Sequence, residues 1–135
     1  MNPRAGQCKA AKYLSRIITI FNQADFEVTV YMTTGPGHAT KIARERSDGM
    51  DVVVCCGGDG TFNETVAGVV ESEAKVSMGY IPAGSTNDFA SGLGLPSDIM
   101  KAAQMIVEGK PRSYDIGRFG NRYFEHDQGD QWRLL

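Results

Sequence analysis

Apolar positions along this chain alternate between two spacings, and the changes mark its elements. Leu14, Ile17, Ile18 and Phe21 fall at i, i+3, i+4 and i+7, which predicts an amphipathic helix over residues 9–23. From Phe26 to Met32 the apolar residues alternate with polar ones, interrupted by Tyr31, and a strand is expected. Thr33 to Gly37 reads as a turn and His38 to Arg46 as a second helix. Val52 to Cys56 is apolar without a break, as in a strand buried on both faces. A helix is expected from Thr61 to Val70, a strand over Val76–Ile81 and a short helix at Asp88–Gly92. Ser97-Asp98 then caps a helix reaching Val107, with Ile99, Ala102, Ala103 and Ile106 on its apolar face. Pro111–Gly117 and Arg122–Phe124 read as two more strands, joined by a turn at Gly120-Asn121. Strands alternating with helices imply an α/β fold, a parallel sheet covered on both faces.

One junction carries chemistry. The strand Val52–Cys56 stops at Gly57-Gly58-Asp59-Gly60-Thr61, and helix-compatible residues follow at once. Three glycines in four positions let the backbone approach a ligand closely and turn its amides toward phosphate oxygens. The following helix adds the positive end of its dipole at the same place. Thr61 is a candidate N-cap, and Glu64 three residues later completes a capping-box pattern. Asp59 is the odd member, because a carboxylate beside phosphates is repelled unless a cation or a hydroxyl reconciles the charges. Glycines, helix dipole and carboxylate together point to phosphoryl transfer. Ligands of parallel sheets sit outside the carboxyl ends of the strands, where this loop and those starting at Thr33 and Pro82 emerge.

Four segments resemble motifs of the bacterial diacylglycerol kinase family. Gly57–Thr61 resembles the signature shared by diacylglycerol, sphingosine and NAD kinases and, more loosely, 6-phosphofructokinases. Asn2-Pro3-Arg4-Ala5-Gly6 is similar to the family's opening, and Gly84-Ser85-Thr86-Asn87-Asp88-Phe89-Ala90 to a later segment. Tyr114-Asp115-Ile116-Gly117 with Asn121-Arg122-Tyr123-Phe124 resembles a fourth. The resemblance covers residues 2–124 and implies a three-layer α/β/α Rossmann-like sheet of the phosphofructokinase and NAD kinase type. It implies transfer of the γ-phosphate of ATP, with Mg²⁺, to the hydroxyl of a diacylglycerol-like lipid. The nucleotide contacts it implies are Asn2, Pro3, Arg4, Ala5, Gly6, Thr33, Gly57, Gly58, Asp59, Gly60, Thr61, Phe62, Asn63 and Ser85. Asn87 and Asp88 would lie near the acceptor, and Asp59 would join the phosphate and Mg²⁺ network.

Two features depart from the family pattern. Only Met1 precedes Asn2, where the family has an apolar strand, and residues 125–135 are polar where it continues into a β-rich domain. Residues 1–124 are therefore read as a nucleotide-binding domain lacking that first strand and second domain, and 125–135 as an atypical tail expected to be disordered. In the family the catalytic base comes from the second domain, so this chain alone is expected to be inactive or nearly so. No full metal site is assigned to it. Two other readings remain: an NAD-kinase-like enzyme, or an inactive nucleotide-binding remnant. Against the first, Asn63-Glu64 lies too early in the chain for that family's ribose-binding pair.

Composition narrows the partners. The 135 residues are 41% hydrophobic with a formal net charge of −2, which gives no support for nucleic-acid binding. No apolar run approaches the ~18 residues of a membrane helix. A cytoplasmic protein that meets lipid peripherally is expected, and unpaired sheet edges make a homodimer conceivable. Cys8, Cys55 and Cys56 are an odd set with two adjacent members, unsuited to disulfides or a metal. His38 and His126 have no catalytic partner at a recognisable spacing and read as surface residues. Plain alternatives remain for several positions: a Pro-Gly turn at Asn2–Gly6, a strand end at Thr33, capping hydroxyls at Ser85 and Thr86, an Asx turn at Asn87.

Overall fold

The computed structural model describes residues 1–85 and 87–109, and the backbone of the strands within 112–134. Helices α1 (Ala5–Lys12), α2 (Leu14–Gln23) and α3 (His38–Arg46) precede strand β1 (Val52–Gly57). Helix α4 (Asp59–Ser72), strand β2 (Ser77–Pro82), and helices α5 (Asp88–Gly92) and α6 (Ile99–Glu108) follow. Strands β3 (Arg112–Phe119), β4 (Arg122–Glu125) and β5 (Asp130–Leu134) complete the chain. The sheet order is β1-β2-β5-β3-β4. β1 and β2 are parallel, as the continuous apolar run at Val52–Cys56 predicts, and β3 is antiparallel to both β4 and β5.

The three layers follow from the period of two along the central strands. Cys55, Met78 and Tyr80 pack with Ala43, Phe62, Val66 and Val69 of α3 and α4 on one face. Cys56 and Ile81 pack with Ile17, Phe21, Ile99 and Ile106 of α2 and α6 on the other. Adjacent cysteines thus face opposite cores, and burial raises their thiol pKa values to about 12 for Cys55 and about 11 for Cys56. Both behave as small apolar groups. The layers approach closely where glycine permits: a Cβ on Gly68 would lie 2.3 Å from the Thr40 carbonyl oxygen of α3. One on Gly79 would lie 2.7 Å from Ile106 Cδ1 of α6.

Four expectations need revision. The helix over 9–23 is interrupted at Tyr13, whose backbone (φ −99°, ψ 5°) separates α1 from α2. Helix α4 begins at Asp59, with Gly58 rather than Thr61 as its N-cap. Glu64 makes no capping box; its Oε1 accepts from the Gly37 amide at 2.8 Å, at the start of α3. The strand expected over Phe26–Met32 is extended but belongs to no sheet. Met1 bonds to it instead: its amino group donates to the Tyr31 carbonyl (2.8 Å) and its carbonyl accepts from the Thr33 amide (2.9 Å). Asn2 then donates to the Cys56 carbonyl (2.9 Å), so Met1-Asn2 bridge the extended segment and β1 at one end.

Behind that bridge lies an apolar cleft of about 210 Å³ between β1 and residues 26–33, lined also by Leu14, Ile17 and Phe21. Alternate residues of a parallel strand direct their main-chain groups to opposite neighbours, so Val52 and Val54 share the cleft side with Cys56.

In the tail, Asp130–Leu134 forms β5 beside β3 rather than an unstructured end. Gln131-Trp132-Arg133-Leu134 alternates polar and apolar, a period-two signal. Thr86, the expected turn at Gly120-Asn121, and His126 lie outside the described residues, as does the side chain of Asp115.

Candidate functional site

Three loops meet at the carboxyl ends of β1 and β2. The first is the turn Gly57–Thr61. None of its glycines has the positive φ that only glycine adopts easily; their small size is what matters. A Cβ on Gly57 would lie 3.0 Å from Thr61 Cβ, and one on Gly58 would lie 3.5 Å from Gly84 Cα. Gly60 is exposed, with nothing within 4 Å of its Cβ position, so the turn is open to solvent. The Phe62 amide donates to the Gly58 carbonyl (3.0 Å), whereas the amides of residues 59–61 precede the first intrahelical acceptor. They form the positive end of the 14-residue helix α4.

The second loop is the N-terminal one. Asn2 Nδ2 donates to Thr61 Oγ1 at 3.3 Å, and Asn2 Oδ1 accepts from the Arg4 amide at 3.0 Å. Gly6, Gln7 and Cys8 all adopt left-handed conformations, with φ of 54°, 59° and 67°. This turn presses Gly6 onto β2, where a Cβ would lie 2.1 Å from the Ala83 carbonyl oxygen. Arg4 is exposed, Pro3 half-buried and Ala5 buried.

The third loop, from Ala83 to Asn87, stacks on the first. Ala83 donates its amide to the Gly57 carbonyl at 2.8 Å. The Asn87 side chain closes the loop in both directions: Oδ1 accepts from the Gly84 amide, and Nδ2 donates to the Gly84 carbonyl, each at 2.9 Å. Ser85 and Asp88 are exposed at its rim.

Asp59 ties the first loop to the third. Its Oδ1 accepts from the Tyr80 hydroxyl at 2.9 Å and its Oδ2 from the Phe89 amide at 3.2 Å. Burial, reinforced by the neighbouring Asp59 carboxylate, pushes the Tyr80 hydroxyl well above the usual tyrosine range and keeps it a donor. Phe62 stacks on Tyr80 with ring centroids 4.2 Å apart and planes 6° from parallel.

The expected site residues are therefore largely brought together. Asn2–Gly6, Gly57–Thr61, Ser85, Asn87 and Asp88 converge, and Thr33 reaches the group through its bond to Met1. Asn63 is half-buried on α4. Phe62 differs: it is 3% exposed and packs in the core, so it supports the turn rather than facing a nucleotide. Sequence reasoning missed Tyr80, the Phe89 amide and the Ala83 carbonyl. No local pattern signals them, since each acts through a contact between distant segments. Among the described residues no three His, Cys, Asp or Glu side chains gather as a metal site. The cleft beside β1 is lined mainly by apolar side chains, among them Val52, Val54 and Ile81, and also by Thr33 and Thr61.

The sequence profile of the diacylglycerol kinase catalytic domain matches residues 1–119. The chain belongs to the diacylglycerol kinase catalytic-domain family. Diacylglycerol kinase of Bacillus subtilis (strain 168) is 40% identical over 125 residues, covering 91% of this chain and 41% of the relative. Diacylglycerol kinase of Staphylococcus saprophyticus is 40% identical over 124 residues, with the same coverage. The crystal structure of a diacylglycerol kinase from Bacillus anthracis str. Sterne superposes with a TM-score of 0.82 at 31% identity, covering 91% of this chain and 43% of that one. The chain thus spans about two-fifths of the length of the curated relatives it matches. This family membership accounts for the layered sheet and the loop order described above.

Proposed function

We propose that this chain is the nucleotide-binding part of a lipid kinase that transfers the γ-phosphate of ATP to the hydroxyl of a diacylglycerol-like lipid. The observation that carries the reading is the Gly57–Thr61 turn, which heads α4 and exposes Gly60 with nothing within 4 Å of its Cβ position. Backbone amides at a helix start are suited to a polyphosphate, and a loose phosphoryl-transfer transition state needs chiefly positioning and charge neutralisation. Asn2 and the Gly84 loop buttress the turn from two sides. Mg²⁺ in such sites is held mostly by phosphates and water with one or two carboxylates, and Asp59 is the carboxylate this chain would offer. When bound, the ion would supply charge neutralisation on the phosphates. Asp88, exposed beside the Gly84 loop, is the residue proposed to lie near the acceptor, a role its exposure permits.

Among the described residues no helix is long and apolar enough to cross a membrane. The NAD-kinase-like alternative loses support because Glu64 is engaged by Gly37.

The chain alone is expected to bind ATP without appreciable catalysis. Calorimetric titration with ATP and Mg²⁺, paired with a phosphorylation assay on diacylglycerol-containing vesicles, tests both halves. Absence of ATP binding would refute the nucleotide-binding role, and robust turnover would refute the division of labour.

A further inference from the structure

The Asp59 carboxylate is held before any ligand arrives. One oxygen takes the Tyr80 hydroxyl from β2, and the other takes the Phe89 amide from α5. The two donors come from segments 21 and 30 residues away, so the contact is a property of the fold rather than of the turn. Tyr80 cannot easily move away. It is 2% exposed, stacked on Phe62, and its ring centroid is 6.4 Å from that of Phe89. Phe62 also packs against Phe89 at 4.9 Å. A ring clamped in this way gives its hydroxyl a fixed direction, and a charge-assisted bond from it fixes the carboxylate in turn.

We propose that Tyr80 is a positioning residue for the phosphate site: its hydroxyl sets the orientation of Asp59 and thereby locks the glycine turn to α5. The inference rests on the nucleotide-binding reading above. Each Asp59 oxygen retains acceptor capacity beyond its one protein donor, directed by the bonds already made. A carboxylate so oriented meets a nucleotide-bound cation without first losing rotamer freedom.

The test compares the wild-type chain with Tyr80→Phe, which keeps the stacked ring and removes the hydroxyl. ATP affinity is measured by calorimetry with Mg²⁺ and with EDTA, and Phe89 amide exchange by NMR. The variant is expected to melt within about 5 °C of wild type, as for a single lost hydrogen bond. The affinity gained from Mg²⁺ should fall about tenfold while affinity in EDTA stays within about twofold, and Phe89 exchange should speed up about tenfold. These magnitudes correspond to loss of one charge-assisted bond. Equal Mg²⁺ gain in the two proteins, with Phe89 still protected, would show that Tyr80 only packs and would overturn the proposal. Should neither protein bind ATP, the nucleotide reading fails, and Phe89 exchange alone decides whether Tyr80 orients Asp59. In the wild-type chain the Tyr80 hydroxyl proton is also expected as a slowly exchanging signal. Its absence would overturn the proposal even if the variant does not fold.

Discussion

Gly84 sits against Gly58 so closely that a Cβ on Gly84 would lie 2.7 Å from Gly58 Cα and 3.0 Å from Asn87 Oδ1. Two turns from different strands are thereby stacked back to back, and the Gly57–Thr61 turn rests on the one beneath it. Gly84→Ala should force them apart. Overpacking against backbone costs about 1–3 kcal/mol, so a lower urea midpoint is expected, together with at least tenfold weaker ATP binding by calorimetry. Near-normal ATP binding would mean that the lower turn does not support the upper one.

Asn2 links the N-terminal loop to the same turn through Thr61 and holds its own loop through the Arg4 amide. Asn2→Ala removes both bonds, each contributing about 1 kcal/mol. ATP affinity should fall roughly five- to tenfold, at about 1.4 kcal/mol per decade, with α-helical content by circular dichroism preserved. An unchanged dissociation constant would remove Asn2 from the site.

The buried thiols make stability depend on alkaline pH, and the raised Tyr80 hydroxyl adds to that dependence above the usual tyrosine range. Cys55 and Cys56 have folded-state values of about 12 and about 11, raised from 9.0 chiefly by burial. Below pH 9 both states carry the protons and stability is unaffected. Above it the unfolded chain releases protons that the folded chain retains, so stability declines until the folded thiols ionise in turn. Each thiol contributes a slope of up to about 1.4 kcal/mol per pH unit in that window. Urea midpoints should be level from pH 7 to 8.5 and fall between 9 and 11, and Cys55→Ala should flatten the decline. A level profile through pH 10.5 would contradict the buried-thiol account.

Val28, Val30 and Met32 are 36–38% exposed along the extended segment beside β1. An apolar extended stretch outside a ladder invites pairing with another chain. Sedimentation equilibrium should show association that rises with concentration, and Val30→Lys should suppress it. A monomer at every concentration would exclude this surface as a contact.

How far the fold could be read in advance depended on where each signal lay. The β1 strand and the α6 cap at Asp98 are local, and they stand where the residues place them; Asp98 accepts from the Lys101 amide at 2.9 Å. The glycine turn was also visible, because a run such as Val52–Cys56 ending in three glycines has few other uses. Phe26–Met32 has the period of a strand, yet a strand also needs neighbours, and alternation cannot reveal whether they are present. Glu64 sits at capping-box spacing but bonds Gly37, since a distant amide outcompeted the local one. Tyr80 was invisible for the same reason: its partner is 21 residues away, and only the β1–β2 register brings them together.

That register also fixes where the molecule begins to loosen. β1 is bonded along its whole length to β2, whereas on its other side Asn2 donates to its Cys56 carbonyl. Opening that bond, together with those joining Met1 to Tyr31 and Thr33 and Asn2 to Thr61, frees Met1-Asn2 without disturbing the β1–β2 ladder. Main-chain protons of residues 26–33 should therefore exchange with solvent through small, frequent openings, while those joining β1 to β2 await global unfolding. The Asn2 anchor is thus also the hinge at which breathing starts, and a ligand gripping Asn2 would quieten motion well beyond its own contacts.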